Sequence, residues 1–442
     1  MGIYLNPGNE GFRSALNSQI YVDKTQMLAY TNSVLDSEQR YLCVSRPRRF
    51  GKSMAAEMLV AYYDKSCDSS ELFRNCAIAS DEHFREHLNQ YDVIHIDVNS
   101  FRSAGKPGES IVSSIQRLVL GELRERYPEC MPDSFGALPT ALAEINKANG
   151  ARFVVVIDEW DAVFREDRED GRAQTEYIGF LRGLFKDAPS KKPIKLAYLT
   201  GILPIKKYGT ESALNNFDEF TMLDADVLAE YVGFTEEEAR GLYDRYGMDF
   251  EQAKQWYDGY ALEKGLHIYN PKSVVDSVRR GRIGNYWTGT ETYESLKRYI
   301  SMNFDGLRDA VARMLGGACC NVNPAKFQND LTSFKSRDDI LTLLVHLGYL
   351  TYDGDSRTVH IPNEEVKTEF VNAIEDAGWD SVMEAINASD RLLAATWRGD
   401  ERAVEAGIAA VHMANASVMN YNDENSLSCV IALAYYNSVK EY

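Results

Sequence analysis

The sequence predicts an α/β fold: a parallel sheet with helices on both faces, followed by a helical lid region, a small helix–hairpin–helix unit and C-terminal helices. Three observations predict it. Short apolar runs over 41–45, 93–98, 153–157 and 194–199 alternate with helical stretches, and runs this apolar suit strands buried on both faces. After about Leu223 the pattern changes to amphipathic helices with no strand signal. A chain of 442 residues also exceeds what one core holds, so two or three domains are expected.

Taken in order, 41–45 (Tyr-Leu-Cys-Val-Ser) reads as the first strand, followed by a loop and a helix starting near Lys52. Residues 93–98, 153–157 (Phe-Val-Val-Val-Ile) and 194–199 give the next three strands, and 218–222 a weaker fifth. Stretches 225–246 and 249–257 read as lid helices. The segment 258–287 is aromatic and loop-rich, punctuated by Gly259-Tyr260 and Asn270-Pro271. A helix over 338–346 then ends at Gly348, strands 350–352 and 358–361 turn at Asp353-Gly354-Asp355, and Asn363 caps another helix. This unit resembles a winged helix. Its acidic tips favour a structural or protein-contact role over DNA. Residues 377–442 read as helices only; the last, over 427–439, carries no stop signal, the pattern expected of a chain cut short. The expected domains are 1–224, 225–333, 334–376 and 377–442.

Composition narrows the function classes. With 45% hydrophobic and 26% charged residues, the chain has the make-up of a globular protein rather than a disordered one. Its apolar runs are too short to span a bilayer, and the N-terminus lacks a signal-peptide pattern, so no membrane role and a cytoplasmic address are expected. Seven scattered cysteines read as free thiols, and the dispersed histidines suggest no metal cluster. A net charge of −18 opposes non-specific nucleic-acid binding over the whole surface and leaves a local basic groove open. The one tight basic cluster is Arg46, Arg48, Arg49 and Lys52.

That cluster lies in Ser45-Arg46-Pro47-Arg48-Arg49-Phe50-Gly51-Lys52-Ser53, between a strand and a helix. Phosphate recognition needs backbone N–H groups at a helix N-terminus, a lysine for the outer phosphates and a hydroxyl for Mg²⁺. Lys52 and Ser53 supply the last two, as in the P-loop of nucleoside triphosphatases; Arg46 stands where the usual pattern has its first glycine. The candidate nucleotide-binding set is therefore Arg46, Arg48, Arg49, Phe50, Gly51, Lys52, Ser53 and Met54. The strand over 153–157 ends in Asp158 and Glu159, suited to holding the metal's water shell and to activating the attacking water. Metal ligands are thus Ser53 and Asp158, and the catalytic candidates are Glu159, Lys52 and Thr200. Thr200 follows the fourth strand, where it would sense the terminal phosphate. Asp161 reads as a helix-start acid. Arg48, Arg49, Lys206 and Lys207 are candidates for a transition-state cation, and spacing selects none of them. Asp353, Asp355 and Glu365-Val366-Lys367 imitate a Mg²⁺-nuclease pattern, but Pro362-Asn363 starts a helix just before the Glu-x-Lys, which argues against that chemistry.

These residues resemble the bacterial AAA-ATPase-like proteins, typically followed by a PD-(D/E)XK nuclease-like domain. The likeness runs through Tyr21-Val22-Asp23-Lys24-Thr25, the loop from Ser45 to Ser53, Ile157-Asp158-Glu159-Trp160-Asp161 and Leu199-Thr200-Gly201-Ile202-Leu203-Pro204. It continues in Leu214-Asn215-Asn216-Phe217, Trp256-Tyr257-Asp258-Gly259-Tyr260, Tyr269-Asn270-Pro271 and Ile361-Pro362-Asn363-Glu364-Glu365-Val366. The resemblance implies ATP on Gly51, Lys52 and Ser53, Mg²⁺ with Asp158, Glu159 as base, and an arginine at position 46 as the expected residue. It also implies that the region after Met383 opens the nuclease-like domain, with Glu424 near its first helix and the catalytic motif beyond Tyr442. The functions to weigh are an ATPase that moves its lid and C-terminal segments, a nucleotide-gated switch, and nucleic-acid processing that needs the missing segment. A homo-oligomer or protein partner is left open.

Overall fold

The computed structural model describes residues 2–131, 136–167, 170–187, 191–205, 207–208, 211–212, 214–262, 265–287, 292–302, 304–327, 334–415, 431 and 434–435. The apolar runs of the first half form one five-stranded sheet of β1 (Tyr41–Ser45), β2 (Asp92–Asp97), β3 (Phe153–Asp158), β4 (Ile194–Gly201) and β5 (Asp218–Phe220). The order is β2-β3-β4-β1-β5 and every pair for which a register is defined is parallel. β1 and β3 are buried at every position, as their unbroken apolar sequences require. The fifth strand is real but three residues long.

Side-chain alternation assigns the faces. Phe153, Val155 and Ile157 enter a core shared with Ile115, Val119, Leu142, Ile145, Leu181 and Leu184 of helices Ile111–Arg126, Leu138–Asn149 and Gly171–Phe185. Val154, Val156 and Asp158 therefore point to the opposite face. There helix Lys52–Tyr63 packs, with Ala56, Leu59, Val60 and Tyr63 fully buried. The register aligns Asp97 of β2, Asp158 of β3 and Thr200 of β4 at one edge of the sheet, the edge where β1 delivers Ser45 to the phosphate-type loop.

The chain divides into two compact units, one within Met1–Phe234 and the other comprising Thr235–Phe327 with Phe334–Tyr442. Two expectations for the region after Leu223 are corrected. The helix expected over 225–246 is a short 3-10 turn at Asp226–Leu228 and a helix at Glu236–Arg245, which starts late because Thr235 and Glu238 form a capping box. The region after Leu223 does contain strands: Tyr260–Ala261 pairs antiparallel with His267–Tyr269. Cys320–Asn321 joins the hairpin of Thr351–Asp353 and Thr358–His360 to make three strands. Strands of two residues show no period-two signal in a sequence and exist through backbone pairing alone. Helix Arg337–Leu347 ends at Gly348 in the left-handed conformation, and the Asn363 side chain accepts from Val366 N to open Glu364–Asp376. Helices Asp380–Trp397 and Glu401–Asn415 follow. Glu424 and the helix expected over 427–439 lie outside the described residues, apart from 431 and 434–435. Among the described residues no helix is long and apolar enough to cross a membrane.

Glu365 sits on helix Glu364–Asp376, almost fully buried. Its carboxylate accepts from Ser273 Oγ (2.7 Å) and from the N–H groups of Tyr286 (2.6 Å) and Trp287 (2.9 Å). It ties three segments of the second unit together. Burial, against the pull of those donors, pushes its carboxyl up to about 7, with Glu369 adding to the rise. The folded state therefore holds this proton more tightly than the unfolded chain does. Stability from this group is fullest below the ordinary carboxylate value of 4.5 and declines as pH rises to about 7. The expected loss across that window is about 1–3 kcal/mol. Chemical denaturation of the second unit at pH 4.5 and 7.5 should show it, and Glu365→Gln, which imitates the protonated form, should flatten the slope.

Candidate functional site

The loop between β1 and helix Lys52–Tyr63 turns through two left-handed positions, Arg49 (φ 69°) and Gly51 (φ 91°). Gly51 is the N-cap, and no side chain caps that helix end. The first-turn N–H groups and the helix dipole thus present a positive end at the sheet edge. Lys52 is buried and folds back across the loop, its Nζ donating to Pro47 O at 2.9 Å. Burial pulls its pKa down, while Glu159, Asp158 and Asp161 hold it up. The Ser53 side chain lies close enough to the Asp158 carboxylate to favour its charged form, as the shared sheet face leads one to expect. Asp158 also accepts from Glu159 N at 2.9 Å. Burial pushes the Asp158 and Glu159 carboxyls up, opposed by Lys52 in both cases. The structure therefore brings Gly51, Lys52, Ser53, Asp158 and Glu159 into one locus. A hydroxyl near a buried carboxylate, beside an uncapped helix N-terminus, is a hard-oxygen donor set that fits Mg²⁺ beside a phosphate.

Other candidates face elsewhere. The Arg46 guanidinium is fully buried and donates through Nη1 to Ser45 O (3.1 Å), Phe220 O (3.2 Å) and Thr221 O (2.9 Å). It clamps the end of β5 to β1, and its side chain does not reach the loop's interior; burial lowers its pKa to about 10. Phe50 packs inside, whereas Arg49 and Met54 are exposed. Arg48 reaches Glu166 at 3.9 Å. Thr200 is buried and its hydroxyl donates to Val44 O at 3.2 Å, so the residue lies beside Asp158 with its hydroxyl engaged by β1. Lys206 lies outside the described residues, as does the Lys207 side chain.

Asp161 is more than a helix-start acid. It is fully buried and accepts from Ile202 N (3.2 Å), Leu203 N (2.9 Å) and Arg165 Nε (2.9 Å). A Cβ at Gly201 would stand 2.5 Å from Asp161 Oδ1, so the glycine is what lets β4 approach. Sequence reasoning also missed Arg165, which is buried and pairs with Glu159, Asp161 and Glu166. Burial works against its charge, and the three carboxylates more than offset that, holding its pKa above the ordinary arginine value. The i,i+4 spacing of Asp161 and Arg165 was the available signal. In the second unit, Glu236, Asp258 and His267 place their ligand atoms within 4.8 Å of one another. Lys254 already pairs there with Glu236 at 3.0 Å and Asp258 at 3.9 Å, so a side chain meets the cluster's negative charge.

Comparison with known proteins places residues 11–210 in a match to the AAA-ATPase-like family model, described as a predicted AAA-ATPase. A curated protein of Azotobacter chroococcum mcd 1, described as an uncharacterized protein in the vnfD 5' region, is 24% identical over 303 residues. That alignment covers 62% of this chain and about half (51%) of the relative's own length. The Aeropyrum pernix ORC2 protein, solved in ADPNP and ADP complexes, aligns over 82% of this chain and 97% of its own at a TM-score of 0.36 and 12% identity. Cdc6p of Pyrobaculum aerophilum aligns over 83% and 98% at 0.29 and 12%. PCH-2 of C. elegans aligns over 76% and 71% at 0.27 and 12%.

Proposed function

We propose, proceeding from the AAA-ATPase-like domain at residues 11–210, that the chain binds ATP with Mg²⁺ at the Lys52–Asp158 locus and hydrolyses it. The observation that carries this is the convergence of an uncapped helix N-terminus, a buried lysine, and a serine beside a buried strand-end carboxylate. In this reading the loop amides and Lys52 bind the outer phosphates, with Lys52 leaving Pro47 O for them. Mg²⁺, held by Ser53 and Asp158, would neutralise phosphate charge. Glu159 accepts the proton of the attacking water, and Thr200 marks the terminal-phosphate side of the sheet edge. The buried setting of Asp158 and Lys52 strengthens every charge interaction made there. Arg46 supports the site through the sheet, and Arg48 and Arg49 of the loop stay the candidates for the basic residue that meets the transition state. Hydrolysis would act on the segments after residue 224, which serve as lid and effector.

The test is calorimetric titration of the chain with ATP in the presence and absence of Mg²⁺, repeated on Lys52→Ala. Wild type is expected to bind, and Lys52→Ala to bind at least about tenfold more weakly, since a charge-assisted contact to phosphate is lost. Absence of binding by wild type, or equal affinity of the variant, sinks the reading. Phosphate release separates an ATPase from a nucleotide-held switch: binding without turnover leaves only the second.

A further inference from the structure

The short helix Ala162–Glu166 that follows the Asp158-Glu159 pair is pinned at both ends. At its start, buried Asp161 accepts two N–H groups from the chain just past β4. At its end, Asp167 forms a two-pronged ion pair with Arg102, at 2.8 and 3.0 Å, on the helix Val98–Ala104 that follows β2. Arg165 projects from this platform with its side chain only 6% exposed. Its Nε is fixed to Asp161 at 2.9 Å, its Nη2 pairs with the Glu159 carboxylate, and its Nη1 reaches Glu166 Oε1 at 3.4 Å. The same Glu166 oxygen lies 3.9 Å from Arg48 of the phosphate loop.

Glu159 itself has a left-handed backbone (φ 51°), a conformation that a glutamate holds only when its surroundings impose it. That conformation sets the direction in which its side chain leaves the strand end, and the ion pair with Arg165 fixes where the carboxylate comes to rest. A planar guanidinium can hold three carboxylates at set angles, which an ammonium cannot.

We infer that Arg165 is the positioning residue for Glu159, holding its carboxylate toward the phosphate loop from a platform built into the sheet, and that Glu166 links this hold to Arg48. The inference rests on the reading of Glu159 as the group that orients and deprotonates water. It assigns Arg165 no contact with nucleotide. Its loss should therefore change turnover and leave nucleotide affinity alone.

The experiment measures phosphate release per bound nucleotide, together with MgATP affinity, in wild type, Arg165→Gln, Arg165→Lys, Glu166→Gln and Glu159→Gln. Counting bound nucleotide removes any contribution from misfolded chain. Arg165→Gln is expected to lose about tenfold or more in turnover with affinity within about threefold, because a misplaced base slows chemistry without weakening binding. Arg165→Lys should recover part of the loss, since it restores a cation beside Glu159 without the bridging geometry. Glu166→Gln, a change at a side chain 39% exposed, leaves Arg165 its two other partners and should lower turnover by a smaller factor, about threefold. If Arg165→Gln does not fold, Arg165→Lys and Glu166→Gln decide the matter by the same split. Wild-type turnover in Arg165→Gln overturns the inference, as does a loss that tracks affinity. Turnover lost in Glu159→Gln but kept in both Arg165 variants overturns this inference alone. Absence of turnover in wild type removes the hydrolytic reading and this inference with it.

Discussion

Glu159→Gln is expected to lower phosphate release by about 10²–10⁴-fold while leaving MgATP affinity within about threefold. The amide keeps the volume and one acceptor oxygen of the carboxylate but cannot take a proton from water. The groups assigned to binding lie elsewhere: the loop and first helical turn around Gly51, the Lys52 ammonium, and the Ser53–Asp158 pair. Glu159 leaves the strand end at a backbone conformation of its own, so the substitution leaves the Asp158 side chain bonded as before. Binding and chemistry should therefore separate cleanly. Single-turnover phosphate release alongside equilibrium titration of the same preparation reads both quantities. A variant that hydrolyses within about tenfold of wild type would show that another group handles the proton.

The second large effect is structural. Gly259 has φ 111°, and a Cβ there would stand 2.0 Å from Pro362 O and 2.6 Å from Pro362 C. The obstacle is backbone, and it cannot swing aside. Asn363 Nδ2 donates to Asp258 O at 2.9 Å, and Tyr260 donates to Gly348 O at 2.7 Å, so the segments on either side of the contact are held. Gly259→Ala combines a disfavoured backbone angle with an overlap that must be relieved by moving a hydrogen-bonded strand end. The expected destabilisation exceeds about 4 kcal/mol, enough to unfold a marginally stable unit. Gly265→Ala is the control: it also has positive φ (72°), but nothing lies within 4 Å of an added Cβ. It should cost about 1 kcal/mol. Denaturant midpoints of the two variants should differ widely; equal midpoints would mean that the chain near Pro362 yields more easily than its hydrogen bonds suggest.

The strands of the first unit were legible because β1 and β3 are buried on both faces and so apolar up to their last residue. The phosphate loop was legible for a similar reason. Its chemistry demands a lysine, a hydroxyl and a helix start in adjacent positions, and local demands leave local marks. The fold class and the two charged motifs follow from such marks. Arg46 shows where they stop. In the sequence it is one of four basic residues in the loop, marked out by standing where the usual pattern has its first glycine, and nothing local says where its side chain goes. In the structure the carbonyls of Phe220 and Thr221 draw its guanidinium away from the loop's interior, because β5 lies beside β1. Thr200 is similar, its hydroxyl taken by Val44 O on the neighbouring strand.

What could be read directly from the chain, then, was every feature whose cause lies within a few residues: strand apolarity, helix starts, the order of the loop and the Asp158-Glu159 pair. Strand order, the aim of Arg46, the burial of Asp161 beneath the end of β4 and the tie of Asp167 to Arg102 arise between segments distant in sequence. Side-chain direction at such places depends on which partner the fold brings within about 3 Å, and a charged side chain turns to whichever buried partner offers the strongest hydrogen bond. The residues proposed to make a phosphate site were written in the sequence, and the scaffold that aims them is set by the sheet.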